Sequence, residues 1–78
     1  MEVIQNFTGV WKSPWGNKIK ETISIVHCDE LYIGMRVCEI VDKEEYIPIE
    51  TKQTRDYAVA LDWYKEWNKD LMNRMLTI

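Results

Sequence analysis

The chain of 78 residues lacks most of the residues from which catalytic and metal sites are built. It has one histidine, His27, and its two cysteines, Cys28 and Cys38, form no CxxC pair. A four-ligand zinc site in this chain would therefore need carboxylates. The three glycines are isolated, which excludes a phosphate-binding loop of the GxxxxGK type. We expect a non-enzymatic protein with no catalytic residues, no cofactor and no metal site.

Basic residues are also scarce for a nucleic-acid-binding protein. Lysine and arginine number 10 against 13 aspartates and glutamates. Because phosphate neutralisation dominates affinity for DNA and RNA, we expect neither as a partner. No run approaches the roughly 18 apolar residues of a membrane span, and the first six residues lack the features of a signal peptide. These absences favour a protein of the cytoplasm, of a bacterium or of a host cell, that does not bind membranes.

The residues that are present indicate one folded domain over residues 1–78. Apolar residues make up 46% of the chain, and the net charge of −3 is too small to favour disorder. Four tryptophans and four tyrosines supply large buried surfaces for a small core.

The strongest local pattern runs from Thr54 to Met75. Apolar side chains recur there with a period of 3.6 residues, which predicts an amphipathic helix over about 55–75. Thr54 is the expected N-cap, and Asp70 and Arg74 are spaced to form an ion pair. The apolar stripe consists of Tyr57, Ala60, Leu61, Tyr64, Trp67, Leu71, Met72 and Met75.

The preceding residues instead predict four strands over about 2–51, separated by three turns. Pro14 and Gly16 favour a three-residue hairpin loop at the first turn. The other two turns, around 28–30 and 42–44, lack glycine, and we assign them three-residue loops as well. Pro48 cannot donate to a ladder, so the fourth strand belongs at an edge. The predicted fold class is α+β, a four-stranded antiparallel meander sheet with one C-terminal helix packed on one face.

Three-residue loops at all three turns collect the apolar residues on one face of the sheet. The pairs are Trp11 with Ile19, Phe7 with Ile23, Ile23 with Met35, and Val37 with Ile49. A two-residue loop at the second turn would pair Ile23 with Arg36 and mix the faces, so we reject it. The odd-numbered side chains of residues 3 to 49 are thus expected beneath the helix.

The opposite sheet face has no second helix to cover it. Exposed apolar patches rimmed by polar groups often mark protein interfaces, and tyrosine and arginine are frequent in their hot spots. The alternative is an ordinary open sheet with some apolar residues in water. Trp15 at the first hairpin tip either folds back onto the core or anchors a partner, beside the acidic third loop. The candidate protein-binding residues are Trp15, Tyr32, Arg36, Ile40, Glu44, Glu45 and Tyr46.

These features predict a small protein-binding module that inhibits or modulates a larger protein. Small acidic proteins of this kind are common among the inhibitors that phages and mobile elements direct against host defences, an analogy of size and composition. Two alternatives stay open. One is a homodimer whose second sheet faces pack together, as a structural or small-ligand-binding domain. The other is a weak mimic of nucleic acid.

Overall fold

The computed structural model describes residues 1–76, which form one antiparallel sheet and one helix. The elements are β1 (Glu2–Lys12), β2 (Lys18–Cys28), β3 (Leu31–Ile40), β4 (Glu45–Thr54) and α1 (Tyr57–Leu76). The strand order is β1-β2-β3-β4, so each strand pairs with its neighbours in sequence. The predicted fold class is therefore confirmed.

The first hairpin has the predicted loop and register. Gly16 takes a φ of 90°, the left-handed conformation that glycine adopts without strain. The Ser13 N–H donates to the Asn17 carbonyl at 2.9 Å and closes the loop. The predicted pairs of Trp11 with Ile19 and of Phe7 with Ile23 are confirmed.

The second turn differs from the prediction by one residue. Cys28 pairs with Leu31, so the loop contains only Asp29 and Glu30, and Ile23 pairs with Arg36. The predicted pairing of Ile23 with Met35 is wrong. Because side chains alternate along a strand, this single residue turns every β3 side chain to the other face of the sheet.

The third loop has four residues, 41–44, where three were predicted. A bulge in β4 absorbs the extra residue, and Val37 pairs with Pro48 rather than with Ile49. Pro48 lies on an edge strand, as predicted, since β4 ends the strand order.

Helix α1 begins two residues later than predicted because Asp56 caps it. The Asp56 carboxylate Oδ1 accepts the Ala58 N–H at 2.9 Å, which satisfies a backbone donor of the first turn. The Thr54 hydroxyl accepts the Asp56 N–H instead, so the prediction of Thr54 as the N-cap is wrong. The predicted ion pair of Asp70 with Arg74 is confirmed, at 2.8 Å.

The core lies between α1 and one face of the sheet. Ile23, Trp67 and Leu71 are buried at its centre. Around them pack Phe7, Trp11, Trp63 and Tyr64. The helix approaches the sheet closely over Gly34, where an added Cβ would lie 3.0 Å from the Trp67 ring. Of the predicted helix stripe, Met72 and Met75 are exposed.

Candidate functional site

The register of β3 gives the sheet two unlike faces. Gly34 and Arg36 lie on the face covered by α1, since Trp67 contacts both. Met35 and Val37 therefore point the other way. We call the face beneath α1 the covered face and the opposite one the open face.

The covered face contains a ring of four charged side chains. Glu21 is fully buried, and its Oε2 accepts hydrogen bonds from Nε and Nη2 of Arg36 at 3.1 and 2.9 Å. Asp70 Oδ2 accepts from Arg36 at 3.0 Å and from Arg74 at 2.8 Å. Arg74 also pairs with the other Glu21 oxygen and closes the ring.

Neighbouring side chains complete the surroundings of Glu21. Trp11 Nε1 donates to Glu21 Oε1 at 3.3 Å, and the Trp11 ring lies 5.1 Å from the Arg74 guanidinium. The Cys38 thiol lies 3.7 Å from the same carboxylate oxygen. Burial, and then the negative charge of Glu21, raise the pKa of Cys38 to about 11. This thiol is therefore protonated at neutral pH.

The ring stabilises the charged forms of Arg36 and Asp70. Burial alone would lower the pKa of Arg36, but its hydrogen bonds and attraction to Glu21 and Asp70 outweigh burial and raise it. Partial burial would likewise raise the pKa of Asp70, but hydrogen bonds and charges from Arg36 and Arg74 lower it. These paired charges hold α1 against β2 and β3, which is a structural role.

Residues 1–76 contain neither a cluster of metal-binding side chains nor a pocket. No group of three or more metal-binding side chains comes together in that range. No pocket opens between its elements either. The open face is a separate feature of the described structure that could contact another molecule.

The open face is more apolar than the sequence pattern predicts. Thr8, Thr22 and Ser24 line β1 and β2 near its middle, whereas β3 presents large apolar side chains. Tyr46 extends this surface on β4, with 68% of its side chain exposed. The apolar residues of β3 on this face are Leu31, Ile33, Met35 and Val37.

Three of the predicted binding residues lie on the covered face, contrary to expectation, because β3 is turned over. Tyr32 stacks on His27 with ring centroids 4.5 Å apart. Arg36 belongs to the buried charged ring, and Ile40 pairs with the buried Ile19. The prediction that these three residues lie on the second sheet face is wrong.

The other four predicted residues are exposed near the end of the sheet that carries the first and third loops. Trp15 is 85% exposed, so it does not fold back onto the core. Glu44 lies in the third loop with a φ of 53°, and Glu45 begins β4. Of these four, the pairing places Tyr46 on the open face, where it opposes Glu39.

Sequence reasoning assigned Ile33, Met35 and Val37 to the core beneath the helix and so missed them as partly exposed residues of the open face. Glu21 could have indicated the correct register of β3. Alternation along β2 places Glu21 on the covered face, between Ile19 and Ile23. A buried carboxylate requires a cation. Arg36 reaches it only when the second loop has two residues.

Comparison with known proteins gives no match: no protein family, no curated protein and no solved structure is significantly similar to this chain. No helix within residues 1–76 combines the length and the apolar character needed to cross a membrane.

Proposed function

We propose that this chain is a non-enzymatic protein-binding module that binds through the open face of its sheet. The observation that carries the proposal is the apolar side of β3, formed by the partly exposed Leu31, Ile33, Met35 and Val37, which face away from α1. In a sheet packed by a helix on one side, such a run is typical of a surface that is buried on binding.

The shape and chemistry of the open face favour a protein over other ligands. The face is broad and has no pocket that would enclose a small molecule among the described residues. Small polar residues, Thr8, Thr22 and Ser24, adjoin the apolar side of β3. A mixed apolar and hydroxyl-bearing surface suits a protein interface, which needs a dry centre and hydrogen bonds near it.

We place the protein in a reducing compartment such as the cytoplasm. Cys28 and Cys38 are both free thiols. Reduced cysteines persist where glutathione and thioredoxin are active, which supports this location.

Site-specific photo-crosslinking in living cells tests the proposal. A photoreactive amino acid at Thr51, which is exposed on the open face opposite Met35, should yield covalent adducts of raised mass. The same amino acid at Lys65, exposed on α1, is the matched control and should yield none. Equal labelling from both positions, or none from Thr51, would contradict the proposal.

A further inference from the structure

We propose that the occupant of the open face is a second copy of this chain, in a two-fold symmetric dimer that stacks two sheets face to face. The proposal rests on the function proposed above, because it names the partner of the same face. Three properties of the face support it: the distribution of charge, the distribution of side-chain size, and the area.

Charge divides one end of the sheet into two halves of opposite sign. Lys12 and Lys18 oppose each other directly, and Lys20 follows them on the same face of β2. We call these three lysines the basic half. Like charges directly opposite each other destabilise a pair of strands. The opposed Lys12 and Lys18 therefore destabilise the β1–β2 pair in a chain without a partner.

The acidic half lies beside it, at the same end of β3 and β4. Glu39 opposes Lys20 across β2 and β3, and the exposed Asp42 and Glu44 lie in the following loop. Lys43 in that loop reduces the negative charge but does not cancel it. We place the two-fold axis between the two stacked sheets, parallel to the strands and above the gap between β2 and β3. Rotation about this axis places the basic half of each copy on the acidic half of the other.

The same axis matches large side chains with small ones. It exchanges β2 with β3, so that Met35 and Val37 of one copy lie over the small Ser24 and Thr22 column of the other. Aligned sheets pack about 10 Å apart, a spacing at which large side chains fill the space above small ones. Val26, which is already 6% exposed in the single chain, lies beside Ile33 at the far end of the same face and adds little new buried surface.

The area of the face is sufficient for a specific dimer. Four strands about 4.8 Å apart and ten residues long at about 3.3 Å per residue give roughly 600 Å² per copy. The two copies would together bury roughly 1,200 Å², the lower end of the range for specific interfaces. Weak and transient complexes lie at this end of the size range, so we expect a weak dimer, with a dissociation constant of roughly micromolar size.

Sedimentation equilibrium of the purified chain measures this association directly. The mass should lie above 9.4 kDa at roughly 1 μM and approach twice that value as the concentration increases to roughly 1 mM. Met35→Lys should weaken association by about 30-fold or more, since it places a charge at the centre of the interface. Met72→Lys, at an exposed position on α1, is the matched control and should dimerise like the parent. A mass of 9.4 kDa at every concentration overturns the proposal.

Charge exchange tests the orientation. Lys12→Glu with Lys18→Glu should weaken association about tenfold, because it places glutamates against the acidic half of the second copy. Asp42→Lys with Glu44→Lys should also weaken it. Mixing the two double variants should restore an association at least as tight as that of the parent. A mixture no tighter than either variant alone overturns the two-fold arrangement.

Photo-crosslinking at Thr51 separates the failure of this inference from failure of the proposed function. Adducts of twice the chain mass support the dimer. Adducts only with other proteins, together with a monomer in sedimentation, overturn the second copy and leave the open face as an interface. No adduct at all overturns the proposed function itself.

Discussion

The pairing of a single buried carboxylate determines which residues each face of the sheet presents. Glu21 is 0% exposed, and burial of an unpaired carboxylate costs several kcal/mol. The two-residue turn provides Arg36 as its partner and leaves Gly34 beneath Trp67. The same turn sends Met35 and Val37 to the open face. The arrangement that satisfies Glu21 therefore leaves apolar side chains for a partner to cover.

The contribution of this carboxylate can be measured with the isosteric amide. Glu21→Gln keeps the volume but leaves two guanidinium groups without their buried counter-charge, and we expect the free energy of unfolding to fall by about 3 kcal/mol. Urea denaturation monitored by circular dichroism measures this free energy of unfolding. Glu66→Gln, at an exposed position of α1, is the control and should change it by less than about 0.5 kcal/mol. Equal effects of the two substitutions would contradict the structural role of the ring.

The stability of the fold at acidic pH depends on the charge of Asp70, a member of the same ring. Its pKa is lower in the folded protein than in the unfolded chain, because hydrogen bonds and charges of Arg36 and Arg74 outweigh partial burial. The stabilisation is therefore complete above the unfolded pKa of about 3.9 and is lost as pH falls through the folded-state pKa.

We expect Asp70→Asn to be less stable than the parent at neutral pH and to lose less stability on acidification. Because the Asp70 side chain is 54% exposed, the difference at neutral pH should stay below about 1 kcal/mol. Urea midpoints measured from neutral pH to about pH 2 test this. Parallel curves for the two proteins would show that Asp70 does not titrate with folding.

At the scale of elements, the turns decide what the sequence could predict. The first hairpin was predictable because Pro14 and Gly16 specify their loop, and the helix because its apolar period is long. The second turn has no glycine, and Asp29 takes a positive φ of 56°, which is uncommon for residues other than glycine. Residue preferences therefore did not indicate a two-residue loop, and the apolar alternation of β3 favoured the wrong face.

The strain at the second turn gives a prediction. Asp29→Gly should raise the free energy of unfolding by about 0.5–1 kcal/mol, because glycine adopts a positive φ without a steric cost. Glu30→Gly, in the same loop but without a positive φ, should lower the free energy of unfolding. Thermal denaturation of both variants compares them, and stabilisation by Glu30→Gly alone would contradict the observed turn.

The close approach of α1 to the sheet gives a second prediction at this scale. Gly34→Ala places a Cβ 3.0 Å from the rigid Trp67 ring and should cost about 1–3 kcal/mol. Gly9→Ala would meet the Met75 sulfur first, the flexible end of a side chain that can move, and should cost less than about 1 kcal/mol. Chemical denaturation ranks the two variants, and the reverse order would argue against this helix position.

At the scale of the whole molecule, the sequence predicted the layers correctly but not which residues each layer presents. The length of α1 and the meander follow from local periodicity, which is visible in the sequence. The composition of the open face depends on the pairing between β2 and β3, a non-local property. Met35 and Arg36 exchange faces with one residue of register, and only the buried partner of Glu21 indicates which register forms.

The shared core and the open face together predict how the whole molecule unfolds. Most of the stability of a helix in a protein comes from tertiary packing, so α1 depends on the sheet, and the covered face would expose Ile23 without α1. We therefore expect α1 and the sheet to unfold in one transition, with tryptophan fluorescence and circular dichroism coinciding. Trp15→Phe removes the exposed tryptophan, so that Trp11, Trp63 and Trp67 report the core.

If two copies stack through the open face, the midpoint of this transition should rise with protein concentration, because association stabilises only the folded chain. The midpoint of Met35→Lys should begin to rise only at concentrations about 30-fold higher than in the parent, whereas that of Met72→Lys should follow the parent. Thermal scans at several concentrations of the three proteins make the comparison. If the tryptophan fluorescence changed before the helical circular dichroism signal, the single core would be contradicted. If the midpoint of the parent did not change with concentration, the stacked dimer would be contradicted.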